Sequence, residues 1–490
     1  MLRSLWLLFV YLAFLGLGTA APFVMTLGYV WVDTFRPQEV ASIVLNQLPV
    51  ALIMGAGAML SYFALDRRSP PPLTLQSALQ VLMAVWMTLT LLWAEVPLRA
   101  LEKWDWAFKV VMFAAFLPLV IRSRIQIEAF AQVYVFALAA NFIPFGVKVM
   151  LSGGGYGRNL GLMGGNSGLA EGGYLSTVCL MAVPLALYLG KHGKLMPNLR
   201  IMPLAYAGVA LLALITAIGT YQRSALIGLG VLGLYMFMRS RRKLLFGAIA
   251  LMVGVIVAGI AMDSWSNRGA TMADYKTESS ALIRVLVWKW TLGYVTTHPM
   301  GGGFDSYLIN TIVIPGDDAN PGGMVQNGRA FHSIYFEVLG ELGIPGFLLF
   351  VVLSLTSLFS LRRLASKCRK IPDLVWVADM SDAVQAGLMV FLSSGAFVGI
   401  AFQPPYWYFV SMGICLHAYV WHAARAEDNT AKGWRASLAR PAAPGGSAPV
   451  PAWRAGPSPG PVTSRPDTAP GTGVLPVPGW RDAARVRREA

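Results

Sequence analysis

The feature that most constrains this chain is a series of apolar runs, each about 18–25 residues long and nearly free of charge, the length that one helix needs to cross a bilayer core of ~30 Å. Inside hydrocarbon every backbone N–H and C=O must find its partner within the structure, so only helices and closed barrels can span. A barrel would show short segments of alternating polarity; these runs are continuous. The chain therefore reads as an all-α, polytopic membrane protein. Composition agrees: 56% of its 490 residues are hydrophobic and 13% charged. That charged share is about half of what soluble domains carry, and the mean hydropathy is +0.57.

About twelve spans follow, at roughly 5–31, 43–65, 75–94, 104–122, 127–149, 168–190, 201–219, 223–238, 244–262, 333–361, 383–401 and 405–422. Thr19-Ala20-Ala21 has the small residues of a signal-peptidase site. The apolar pattern continues past it to Trp31, so an uncleaved first span is expected, with Pro22 the point where it would break. The net charge of +15 raises the question of nucleic acid. Its distribution points elsewhere. Lys and Arg gather in short clusters between apolar runs: Arg67-Arg68, Arg122 with Arg124, Lys191 to Arg200, Arg239 to Lys243, and Arg362 to Lys370. Cytoplasmic loops of membrane proteins carry this excess. Threading the spans from a cytoplasmic N-terminus puts every cluster inside and the nearly charge-balanced 263–331 loop outside. The 152–167 loop, the Thr220–Arg223 turn and Gln403-Pro404-Pro405 also fall outside. No nucleic-acid partner is expected; membrane lipids are.

The membrane domain is expected to occupy 1–423. Beyond about Ala424 the chain turns to Pro, Ala, Gly and Ser, with little apolar periodicity. Such a segment cannot bury enough surface to offset its ordering entropy, so 424–490 reads as a disordered cytoplasmic tail. Cys179, Cys368 and Cys415 have neither metal-ligand spacing nor a disulfide pattern. His417 follows Cys415 by two, and residues two apart on a helix do not face each other.

Polar chemistry concentrates between Arg284 and Gly346. Arg284 lies among Leu282, Val285, Leu286, Trp288 and Trp290. That pattern suits a helix at the membrane interface with its tryptophans at headgroup level. Its guanidinium could hold a phosphate or simply snorkel. Arg158 follows a glycine run and Asn166 precedes a span. They read either as an anion-binding loop or as an ordinary flexible one. Arg223 opens an apolar span after a tight turn, where an unpaired charge is costly and a phosphate would be a natural partner. His332 enters the tenth span, and imidazole is the base available near neutral pH. Glu337 and Glu341 follow on one helix face, a costly arrangement unless they face a polar cavity. His298, before Pro299, reads as a loop histidine. Several arginines, one base and no metal-ligand set suit a lipid-linked diphosphate. The arginines would stabilise the departing diphosphate while the base deprotonates an acceptor hydroxyl.

Four motifs occur in order: Y-Q-R-S-A-L-I-G-L at 221–229, Arg284 with V-W-K-W, H-P-M-G-G-G-F at 298–304, and H-S-I-Y-F-E-V-L-G-E-L-G-I-P-G at 332–346. Together they resemble the O-antigen ligase and polymerase superfamily of bacterial inner-membrane glycosyltransferases. P-F-V-M-T-L-G-Y-V-W-V-D-T-F-R-P-Q at 22–38 resembles the O-glycosylation ligase subgroup associated with exosortase systems. The resemblance implies a GT-C-like bundle with one large periplasmic loop. It implies inverting, metal-independent transfer without a cofactor, from an undecaprenyl-diphosphate-linked glycan to a glycan, lipid or protein acceptor. It assigns Arg158, Arg223 and Arg284 to the diphosphate and His332 to the acceptor, with Asn166, Glu337 and Glu341 in support. Gln222 and Ser333 depart from the family's common Ser and Asn at those places. A polysaccharide polymerase and a lipid-linked glycan transporter stand as alternatives.

Overall fold

The structure, a computed structural model, describes residues 2–41, 44–66, 68, 70–152, 169, 171–196, 199–240, 243, 247, 276–314 and 323–438. Arg158, Asn166, the span expected at 244–262 and the tail from 439 onward lie outside these. The chain divides into two units, Met1–Tyr419 and Val420–Ala490.

The helices run α1 (Leu2–Ala20), α2 (Pro22–Phe35), the single turn α3 (Pro37–Val40), α4 (Val50–Leu65), α5 (Leu75–Leu89), α6 (Pro97–Val120) and α7 (Arg124–Ser152). They continue as α8 (Gly172–His192), α9 (Met202–Gly219), α10 (Arg223–Arg239), α11 (Lys276–Thr297), α12 (Ile334–Cys368), α13 (Val375–Ser394) and α14 (Pro404–Leu438). Among the described residues, seven helical stretches are long and apolar enough to cross a bilayer, and α4 is a shorter apolar helix. The chain is thus an all-α, multi-pass membrane protein.

Several boundaries differ from the sequence pattern for identifiable reasons. The first run breaks at Ala21, which is extended, and Pro22 starts α2 as its first helical residue, a position where its missing N–H is no loss. Pro97 likewise starts α6 before the apolar part of the run. The span expected at 383–401 begins instead at Val375. Asp379 and Asp382, which precede the expected span, lie inside the helix, where bases from other parts of the chain pair them. The last helix continues to Leu438, past the point where the tail was expected to begin; the next proline is Pro441, and the residue before a proline disfavours helix.

α8 is the central helix. Its residues from Gly173 to Ala186 are buried on every side, as expected of a helix that is apolar all round. α9 and α13 pack on it, α7 packs on α9, and α10 and α12 pack on α13. On the periphery Leu60, Phe63, Leu92, Leu204 and Leu348 point outward, consistent with faces that meet lipid.

One break in α12 organises the polar end. Gly343 leaves the helical region at φ 67°, ψ −168°, and Pro345 follows. Pro345 has no N–H to give back to Glu341. The turn after α11 supplies what is missing. Gly302 N–H donates to Gly340 O and Gly303 N–H to Glu341 O, both at 2.9 Å. Ile344 N–H donates to Pro299 O at 2.8 Å, and Trp86 Nε1 donates to Leu342 O at 2.8 Å. Gly301 and Gly303 have φ of 78° and 76°, and a Cβ on Gly301 would lie 2.3 Å from Gly343 N. H-P-M-G-G-G-F and E-L-G-I-P-G are therefore two halves of one backbone joint.

Between α11 and α12, β1 (Thr311–Ile314) pairs antiparallel with β2 (Met324–Asn327), Thr311 opposite Asn327. Val287, Ile312 and Phe331 form a small core there, with Trp290 and Phe336 packed against it. Trp288 and Trp290, expected from the sequence at headgroup level, both make ring contacts here. Trp288 stacks on Phe336 at 5.0 Å and donates through Nε1 to Phe331 O at 2.8 Å, and Trp290 stacks on Tyr294 at 4.9 Å. Both rings serve the packing of the segment around β1 and β2.

Candidate active site

The Trp288 hydrogen bond fixes the carbonyl immediately before His332. His332 then takes φ 49°, a left-handed conformation uncommon for a residue with a Cβ and costing about 1–3 kcal/mol. Ser333 caps α12 with extended backbone. The chain thus turns sharply at His332, and the imidazole reaches a cavity of about 580 Å³. Glu171, Glu337, Glu341, Asp305 and Lys103 line the same cavity, with Arg99, Trp106 and Gln403 farther along its wall.

The centre of the cavity's polar wall is a charge cluster. Lys103 Nζ lies 2.8 Å from Glu337 Oε1, 2.7 Å from Glu341 Oε1 and 3.6 Å from Asp305 Oδ1. Glu337 uses its other oxygen to accept from Ala401 N–H at 2.9 Å, and Glu341 Oε1 also accepts from Asp305 N–H at 3.1 Å. The Lys103 side chain is 13% exposed and that of Glu341 0%. The four-residue spacing of the two glutamates thus puts both on one face of α12, as the sequence indicated, and they meet one ammonium there. Glu341 Oε2 is buried and has no hydrogen-bond partner among the described residues.

Around His332 the charges are mixed. Burial pushes its imidazole below the usual histidine range; the Arg284 and Arg329 cations push in the same direction, and the Glu337 carboxylate opposes them. The ring is accordingly neutral near pH 7, with a lone pair free to accept a proton. Burial also lowers Arg284, followed by the like charge of Arg223, with Glu171 opposing. Arginine stays charged despite such a shift. Arg284 Nε is buried and has no hydrogen-bond partner among the described residues. Burial raises the Glu171 carboxyl, Glu337 adds to it and Arg284 opposes.

His332, Glu337 and Glu341, expected from the sequence, come together in this cavity. Arg284 stands close enough to act on His332 and Glu171 electrostatically, and Arg223 acts on Arg284, but the cavity wall itself takes its cations from Lys103 and Arg99. Arg158 and Asn166 fall outside the described residues. His298 stacks on Tyr294 at 4.3 Å and lies 3.9 Å from Glu95, in keeping with a loop histidine. Sequence reasoning missed Lys103, Asp305 and Glu171. A signal for Lys103 existed. It stands apart from the basic clusters, in E-K-W-D-W, on the side where the charge threading leaves lysine unexplained.

Fold and site together define a multi-pass membrane protein with a polar, carboxylate-rich cavity at one end of its central helix. Residues 208–351 match the O-antigen ligase family (Wzy_C), and residues 2–194 match a family of unknown function (DUF5935). No curated protein matches the chain. The first match supports the O-antigen ligase superfamily and an O-antigen ligase- or polymerase-like membrane enzyme, whose donors and acceptors are lipid-linked glycans in a membrane.

Proposed function

We propose that this protein is a glycan ligase of the bacterial inner membrane, with about twelve crossings and its cavity on the periplasmic face. The donor is a glycan on undecaprenyl diphosphate, and the acceptor is a hydroxyl of a lipid, a polysaccharide or a protein. The observation that carries this reading is an imidazole lining a cavity, under the influence of a guanidinium whose buried Nε has no hydrogen-bond partner among the described residues, inside the segment that matches the O-antigen ligase family.

The acceptor oxygen attacks the anomeric carbon while its proton passes to the His332 imidazole. The bond from that carbon to the diphosphate breaks, and the departing oxygen takes the electron pair. Arg223 and Arg284 hold the charge that develops there, with Arg158 and Asn166 completing the donor site. One displacement inverts the configuration, and the step needs no metal or cofactor. The exosortase-associated subgroup is the finer assignment within this reading. A transporter would gather polar groups and broken helices near mid-membrane; here the site lies by the start of α8.

Purified protein supplied with an undecaprenyl-diphosphate-linked oligosaccharide tests the assignment. His332→Asn should fold and bind donor while transfer drops by roughly 10²–10⁴-fold, the usual loss of a general base. Arg223→Lys and Arg284→Lys should weaken donor binding, because an ammonium lacks the planar fork. Wild-type turnover in all three variants would remove this active site. Cysteine labelling in intact cells checks the face: residues 323–331 should react from outside.

A further inference from the structure

We propose that Lys103 is a positioning residue for the His332 base, and that the N-terminal segment, matched to a family of unknown function, is thereby part of the catalytic unit. The proposal rests on the reading of His332 as the base.

Three pieces of chain meet at Lys103. The lysine belongs to α6, within the segment 2–194. Glu337 and Glu341 belong to α12, the helix that His332 leads into, and Asp305 follows the glycine turn. Stability alone does not account for such an arrangement. Replacing a buried ionic cluster by apolar side chains of similar volume is often neutral or stabilising. The cluster does, however, fix both oxygens of Glu337, one on Lys103 and the other on Ala401 N–H.

Glu337 matters because of what the base must become. On taking the acceptor's proton, His332 turns into an imidazolium. Arg284 of α11 and Arg329, just after β2, both disfavour that cation, and Glu337 of α12 is the carboxylate that opposes them. Glu171, ahead of α8, faces Glu337 and Arg284. Asp305 and Glu341 lie behind Lys103. Lys103 therefore sets the position and charge of the group that balances the imidazolium as it forms. Without it, three carboxylates would crowd one buried site, and protons would neutralise some of them.

The test uses the full-length protein with the same undecaprenyl-diphosphate-linked oligosaccharide. A triple variant, Lys103→Met with Glu337→Gln and Glu341→Gln, removes the ammonium together with its two closest carboxylates and leaves Asp305 with Arg99 Nε at 3.9 Å. It should bind donor within about twofold of wild type, yet transfer at least about tenfold more slowly. The acid limb of its kcat profile should move to lower pH, because Arg284 and Arg329 then act on His332 unopposed. Lys103→Arg should keep most of the rate. If the triple variant does not fold, Glu337→Gln alone must show the same displaced limb. A triple variant with wild-type rate and an unmoved limb would make the cluster purely structural and overturn the proposal. His332→Asn is run beside it. If that variant transfers normally, the base reading fails and this inference with it. If it is inactive while the triple variant behaves as wild type, this inference alone fails.

Discussion

The two ends of α8 carry charged clusters of opposite design. At the start of the helix one ammonium, Lys103, sits among three carboxylates and is nearly sealed from water. At its end Lys191 and His192 share Asp379, Arg369 bridges Asp379 and Asp382, and Arg239 also reaches Asp382. The second cluster is rich in bases and half wet; the Lys191 side chain is 67% exposed. Its lysine and arginines keep much of their water while Asp379 and Asp382 are mostly covered, so it ties α8, α10, α12 and α13 together with chiefly its acids desolvated. The first cluster has given up that water, and its carboxyl groups outnumber its one ammonium. A bundle that needed only a clamp could use the second kind at both ends. The buried, acid-rich kind makes sense where a cation develops during a reaction.

Breaking each cluster should separate them. Lys103→Met on its own leaves buried carboxylates without their counter-ion and should cost about 3–5 kcal/mol, read as a large fall in thermal midpoint in detergent micelles. If it costs no more than Lys191→Met, the contrast between the two ends is wrong. The backbone joint that carries the first cluster should come next. Gly301→Ala places a Cβ 2.3 Å from Gly343 N at a positive φ, and should cost at least about 2 kcal/mol. Gly293→Ala, on α11 with nothing within 4 Å of the added Cβ, is the control and should not destabilise.

How much of this was legible depends on the kind of signal. Apolar runs gave the class of fold because hydrocarbon leaves the backbone so few choices. Glu337 and Glu341 were legible because a spacing of four on a helix has one geometric meaning. Lys103 was not, because it lies more than two hundred positions before its partners, and no local pattern encodes a pairing at that separation. Asp379 and Asp382 misled for the same reason: their bases come from α8, α10 and the end of α12, so acids inside a span looked like a loop. Trp288 was legible only in part. Tryptophan beside an apolar run is enriched at interfaces, but its bond to the Phe331 carbonyl, 43 positions along the chain, has no local signature.

Acid should act more gently, through two groups at the cavity end. Unfolded, the His332 imidazole takes up its proton near the ordinary value of 6.5; folded, it does so at lower pH. Between those values the unfolded chain holds the extra proton, so stability from this group is fully present above about 6.5 and falls as pH drops through the folded value. Transfer should follow, with an acid limb below 6.5 that His332→Asn abolishes. Glu171 has the opposite sign. Its carboxyl is raised from 4.5, so the folded form holds the extra proton and stability falls as pH rises through that window. Glu171→Gln should flatten that slope and leave the histidine limb in place. An acid limb at or above 6.5 would contradict the burial of His332.

Salt gives the smallest effect and the cleanest contrast. At ~1 M ionic strength the screening length shrinks to about 3 Å, against about 10 Å at 0.1 M. Lys191 meets Asp379 at 2.6 Å, but most of its side chain lies in solvent. Its contribution at low salt should therefore be below about 1 kcal/mol and should fade as salt rises. Lys103 touches its carboxylates at similar distances with almost no solvent between them, so mobile ions cannot enter to screen it. Thermal unfolding of wild type, Lys191→Met and Lys103→Met at ~0.02 M and ~1 M salt reads both. The gap between wild type and Lys191→Met should close at high salt, and the gap to Lys103→Met should stay open. If both gaps close together, water and ions reach the Lys103 cluster, and Glu337 is too well screened to balance an imidazolium.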